Sequence, residues 1–370
     1  MWSALALGAG LRAVVLLPPT ERLASLVASW DLSNRLDLSS PVTQWDRLVD
    51  DHVFLGEDRR PPPLLFALAA LADRRVLQAA VLIGLDVLTA VGLAIAVQQR
   101  FARDAGAHER DRETLKVWRQ RGRPRLDSDG AINAGSAVNE EEATLVDGLA
   151  ADDLLSPGTL PATVAALYAL SPLGVLACGA KSLFSLPIGL AAWTLVAAQR
   201  GNAPLAALLL AMTALVEGPG LLALMAFPVA NCLALAGTSR LVFALWLLAC
   251  LAACLGASVA LGGAGFVHSQ YVWTALYPEP VPNPGVWWYL FLETFPRFRG
   301  YFLLLLNSFA FHLALPLAAH FGHRPELAAC LGLAVHLLFH PFCELAALST
   351  AVVLMLMHAE FALAVPFFSR

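Results

Sequence analysis

Charge is what this 370-residue chain has least of: only 14% of its residues are Asp, Glu, Lys or Arg, while 58% are hydrophobic and the mean hydropathy is +0.66. That balance excludes an ordinary soluble domain. The net charge of -4 is small and scattered among loops, so no nucleic-acid partner is expected. Cysteine is sparse too: Cys178, Cys232, Cys250, Cys254, Cys330 and Cys343 lie in apolar stretches without CxxC spacing, which excludes a secreted disulfide framework and leaves simple packing. No GxSxG elbow, no Ser/His/Asp or Cys/His set and no glycine-rich phosphate loop can be assembled. Nucleophilic catalysis by this chain alone is therefore not expected, and neither a metal nor a cofactor is assigned.

What remains is a succession of long apolar runs. A hydrocarbon core of roughly 30 Å takes about 20 apolar residues per helix, and lipid forbids unpaired backbone, so the expected fold is an all-α, polytopic transmembrane bundle. Candidate spans are 2–18, 76–98, 160–180, 183–199, 203–216, 219–237, 241–262, 301–320, 325–340 and 345–368, about ten in a single membrane domain covering 1–370. The first resembles a signal peptide, but Arg12 interrupts its apolar core and no small-x-small cleavage site follows, so it is read as an uncleaved span. Residues 61–75 open on three prolines and are too short to cross, which predicts a re-entrant or interfacial helix. Glu217, Gly218, Pro219 and Gly220 separate two short apolar runs, the mark of a tight turn or a broken helix.

Basic residues orient the bundle. Arg100, Arg103, Arg110, Arg112, Lys116, Arg119, Arg121, Arg123 and Arg125 crowd one loop, so 100–158 is expected to be cytosolic and, being charged and rich in Gly, Ala and Ser, largely disordered. Counting onward places Arg200, Arg240, His323 and Arg324 on the cytosolic side. Residues 18–75, with their interfacial helix, and 263–300 then form lumenal loops.

Several polar groups offer chemistry. Asp31, Asp37, Asp46, Asp50 and Asp51 populate the first lumenal loop without a clean Asp-x-Asp. His336, His340 and Glu344 recur at i, i+4 spacing as metal ligands can, although Pro341 disfavours helix at His340; interhelical hydrogen bonding is the commoner use of such residues. Lys181, between two apolar runs, must snorkel, pair or meet a phosphate. In "PNPGVWWYLFLETF", a turn cluster around Asn283 leads to Trp287, Trp288 and Tyr289, whose rings suit headgroup level. Glu293 lies four residues before Arg297, an i, i+4 pair if helix persists through Pro296. An anchor belt and a docking surface for lipid headgroups or a partner both fit that stretch.

The same stretches resemble a known family. "LDLSSPVTQWDRLVDD" (36–51), "LDVLTAVGLAIAVQQ" (85–99), "ALYALSPLGVLACGAKS" (166–182) and, most specifically, "PNPGVWWYLFLETF" (282–295) are similar, in order, to blocks of the phosphatidylinositol-glycan class U subunits of the glycosylphosphatidylinositol (GPI) transamidase complex. The resemblance implies a non-catalytic, multi-pass endoplasmic-reticulum membrane subunit with a fold of the lipid-linked mannosyltransferase (GT-C) type. Such a subunit helps bind the GPI lipid and hold it near a cysteine-protease-like catalytic subunit. The resemblance makes Lys181, Asn283, Trp287, Trp288, Tyr289 and Glu293 the expected lipid or partner contacts. Where the family carries Ser-Tyr-Pro-x-x-Gly-Asp this chain has "FHPFCELAAL", without the Gly-Asp pair, and it stops at "FFSR" before further spans of the family. The alternative reading is a dolichol-phosphate-mannose-dependent mannosyltransferase with Asp37 or Asp50 as base.

Overall fold

The computed structural model describes residues 1–16, 75–120, 158–179, 184–263, 265–267, 271–272, 287–340, 343 and 345–358. Every regular element among them is helical. The chain runs through α1 (Trp2–Val15), α2 (Arg75–Gln120), α3 (Leu160–Leu170), α4 (Pro172–Gly179), α5 (Ser185–Gln199), α6 (Ala203–Glu217), α7 (Pro219–Leu235), α8 (Arg240–Gly262), the short α9 (Trp287–Glu293), α10 (Arg299–His320), α11 (Pro325–Leu338) and α12 (Leu345–Leu356).

Three stretches are long and apolar enough to cross a membrane, Ala79–Asp104, Arg240–Leu261 and Arg299–His320, and α3 with α4, bent by 45°, makes a fourth if the pair is one span. The bend has a local cause. Pro172 opens α4 without a donor N–H, and the Ser171 hydroxyl accepts from Gly174 N at 3.3 Å, so the helix restarts in a new direction. The remaining elements with span-like composition are shorter apolar helices.

Two boundaries differ from the sequence reading. Helix α2 continues to Gln120 instead of ending near Gln98. Residues 100–120 contain no proline, and Glu109 with Arg112 and Glu113 with Lys116 stand in the sequence at the i, i+3 spacing that favours helix. The helix α9 stops at Glu293, and Pro296–Phe298 form a 3-10 turn, so the i, i+4 geometry expected for Glu293 and Arg297 does not persist. At Gly218, the predicted break is present: φ +97° and ψ -176° end α6 and begin α7 within one residue.

Small residues hold the bundle together. The core of α2, α5 and α6 is built from Ala90, Ala94, Ala191, Ala192, Ala206 and Ala207, which let helix backbones approach as membrane packing requires. Cross-helix contacts fix direction. Thr89 Oγ1 donates to Ser185 O at 3.1 Å and Gln199 Nε2 to Ala96 O at 3.0 Å, so α5 runs parallel to α2. Close approaches of Gly220 to His336 and of Gly332 to Leu224, with Cys232 near Glu326, make α11 antiparallel to α7. The packed helices thus share two ends: one carries Arg100, Gln199 and Glu326, the other Asp86, Ser185, Glu217 and His336. By contrast α8 and α10 turn apolar side chains outward, among them Leu241, Leu245, Leu304 and Leu315. A soluble monomer does not leave such faces bare.

Candidate functional site

The polar chemistry gathers at the end that carries Asp86 and Glu217. A narrow crevice lies beside the α3–α4 bend, lined by residues that include Asp86, Tyr168, Ser171, Cys178, Ser185 and Thr350. Asp86, in that lining, belongs to a buried ion pair. Arg12 Nε donates to Asp86 Oδ2 at 2.5 Å, with the two side chains only 2% and 9% exposed. The same guanidinium donates to Gly8 O at 3.2 Å and to Ala169 O, tying α1, α2 and α3 at one point. An isolated ion at such depth is costly, so each partner is the condition for the other's burial. Gly8 permits the contact: a Cβ there would stand 2.6 Å from Ala169 O.

Across the same end, α9 is pinned by Trp287. Its ring is buried and its indole N–H donates to Phe339 O at 2.8 Å. The ring that the sequence reading sets at headgroup level is packed inside the chain, because a buried indole N–H needs an acceptor and the end of α11 supplies a carbonyl. Tyr289 and Glu293, on the same short helix, are exposed. Trp288 lies in this helix, its side chain outside the described residues. Lys181 and Asn283 lie outside the described residues, as do Glu344 and the aspartates of 17–74. The structure thus brings Trp287, Tyr289 and Glu293 onto one element and relates none of the six expected contact residues to the crevice directly.

Beside Phe339, His336 Nε2 stands 3.2 Å and His340 Nε2 3.8 Å from Glu217 Oε2, at the α6–α7 break. Tyr271 closes this region from the connecting segment, donating its hydroxyl to Leu215 O at 2.7 Å; burial pushes its phenol up to about 12. The hydroxyl therefore keeps its proton at any physiological pH.

The opposite end is a latch. Arg103 donates to Glu326 twice, once at 3.0 Å and once over a shorter bond, and the Cys232 thiol donates to Glu326 Oε1 at 3.5 Å, joining α2, α7 and α11. Arg100 Nη1 donates to Met357 O at 2.6 Å and meets His358 Nδ1 at 2.6 Å.

Sequence reasoning identified Asp86, as part of a motif, and the break at Glu217. It missed the Arg12–Asp86 pair and the meeting of Glu217 with the two histidines. The usable signal was that an ionisable residue inside an apolar helix needs a partner; only the fold says which one.

A family model described as GPI transamidase subunit PIG-U matches residues 19–368 of this chain. No curated protein matches it.

Proposed function

Because this chain belongs to the PIG-U family of GPI transamidase subunits, we propose that its task in that complex is to bind the GPI lipid and present it for attachment to proteins, while a different subunit supplies the catalytic cysteine. Its partners are the other subunits of the transamidase and the lipid itself, and its membrane is that of the endoplasmic reticulum. The shorter apolar helices complete a bundle of about ten spans of the lipid-linked mannosyltransferase (GT-C) type, some of them crossing obliquely or in part.

The observation that carries this reading is that the α3–α4 crevice, the Glu217–His336–His340 cluster and the helix α9 lie at one and the same end of the bundle. The crevice beside the α3–α4 bend is lined by Cys178 and Phe184, which flank Lys181 in the sequence, and the exposed Tyr289 and Glu293 sit on a helix anchored at that same end. Lys181 is the natural counter-charge for a lipid phosphate. Asn283, Trp288, Tyr289 and Glu293 suit the glycan and headgroup, and Trp287 holds in place the helix that carries the last three. The orientation that sets this end toward the lumen is the one demanded by the basic residues Arg100 to Arg125, which lie in the C-terminal part of α2 and just beyond it.

Lipid profiling of cells that lack the chain tests the proposal. Completed GPI lipid should accumulate while surface GPI-anchored protein falls. Accumulation of an under-mannosylated precursor would instead assign the chain a sugar-transfer step and overturn the reading.

A further inference from the structure

We propose that Glu217, His336 and His340 bind a divalent transition-metal ion, best matched by zinc, which clamps the α6–α7 break to the end of α11. Three potential ligand atoms, one from each side chain, lie within 4.8 Å of one another. Glu217 Oε2 is 3.2 Å from His336 Nε2 and 3.8 Å from His340 Nε2. In a tetrahedral site with metal–ligand bonds of about 2.0–2.1 Å, neighbouring donor atoms stand about 3.3 Å apart. The constellation is therefore near one face of such a tetrahedron, and small side-chain rotations close the remainder.

The donor set matches the metal. Two imidazoles and one carboxylate suit zinc, whose sites tolerate mixed nitrogen and oxygen ligands and leave a fourth position for water or a phosphate oxygen. All three side chains are largely buried, at 20%, 10% and 14% exposure for Glu217, His336 and His340. In such surroundings a cation held by three ligands compensates the carboxylate more completely than one imidazolium does.

The backbone is arranged to deliver these groups. Helix α11 ends at Leu338, so His340 leaves helical register, yet its ring centroid remains 5.4 Å from that of His336. Phe339, between them, is fixed by the Trp287 indole, which positions the turn that carries His340. Glu217 is the last residue of α6, and Gly218 adopts a conformation that essentially only glycine takes. Gly220, at the start of α7, faces the same histidine, where a Cβ would stand in ordinary contact 4.0 Å from His336 Nδ1. Four elements thus converge on the cluster, and an ion there would hold the end that presents Tyr289 and Glu293.

The experiment is metal analysis of the purified transamidase complex containing the full chain, in parallel with complexes carrying E217Q or H336Q/H340Q. The amide introduced by E217Q keeps a hydrogen bond to imidazole while removing the anionic ligand, so packing and metal binding are separated. We expect one equivalent of zinc fewer per complex in each variant, since each removes at least one of the three ligands. On wild-type complex stripped with chelator, added cobalt(II) should develop the visible absorption of a tetrahedral site. Equal metal content in wild-type and variants, or no such absorption from the stripped wild-type complex, would overturn the proposal and leave an imidazole–carboxylate hydrogen bond only. Should a variant fail to assemble, the cobalt titration of wild-type decides alone. Because the readout is metal, its failure leaves the lipid-binding role standing.

Discussion

Arg12 and Asp86 face each other across 74 residues of sequence with almost no water around them. Removing one partner strands the other, so Arg12→Ala or Asp86→Ala should each destabilise the chain by about 3–5 kcal/mol. A double replacement by leucines should recover most of that loss, because two well-packed apolar groups replace an ion pair at little net cost. Thermal unfolding of the purified complex, followed with a thiol-independent probe, checks both; a loss in the double variant equal to the sum of the two single losses would show that the pair is not coupled. Gly8→Ala should cost about 1–3 kcal/mol by the same assay, since the added methyl meets a backbone oxygen, which cannot rotate away. At this scale the sequence was half legible. Asp86 and Thr89 lie within the family-like block 85–99, and Arg12 stood out through its position in an apolar run. Nothing local joins residue 12 to residue 86, because their encounter depends on α1 and α3 packing against α2. Trp287 was misread for a related reason: an indole ring is equally at home at a membrane interface and in a core, and its N–H partner, Phe339 O, lies 52 residues away.

Helices and their breaks were more legible, because apolar runs and proline or glycine punctuation are local signals. The turn at Gly218 and the interruption at Pro172 appear where those residues stand. The extension of α2 to Gln120 did not announce itself, since its charged residues read equally as a mobile linker or as an exposed helix. Gly218→Ala follows from this scale. At φ +97° the alanine is strained by about 1–3 kcal/mol, and relief of that strain must rotate the end of α6 and draw Glu217 away from His336. Loss of bound metal from a G218A complex that still assembles is the expected result; retention of the full metal content would mean that the break does not position Glu217. At the other end, Glu326→Ala should loosen three helices at once, because Arg103 and Cys232 both bond to it. Limited proteolysis between 100 and 158 should accelerate in that variant, and an unchanged cleavage rate would show that the latch does not restrain the end of α2.

Taken whole, the molecule is a bundle of small-residue contacts with two apolar faces turned outward and its polar groups sorted to its ends. Outward leucines on α8 and α10 suit lipid or other membrane subunits, and membership of a transamidase subunit family supplies the reason for such partners. Family and membrane class were legible from composition and from four ordered blocks, the most specific of which holds Trp287, Trp288, Tyr289 and Glu293. The way the ends assemble was not, because it rests on contacts between helices distant in sequence. The central claim is that this chain holds the GPI lipid at the end bearing Asp86, Glu217 and Trp287. Photocrosslinking of the intact transamidase with a GPI analogue carrying a reactive group near its phosphate, read by peptide mass spectrometry, tests it most directly. Labelled peptides from residues 166–182 and 282–295 are the predicted result; labelling confined to other subunits, or to the end bearing Arg100 and Glu326, would contradict it.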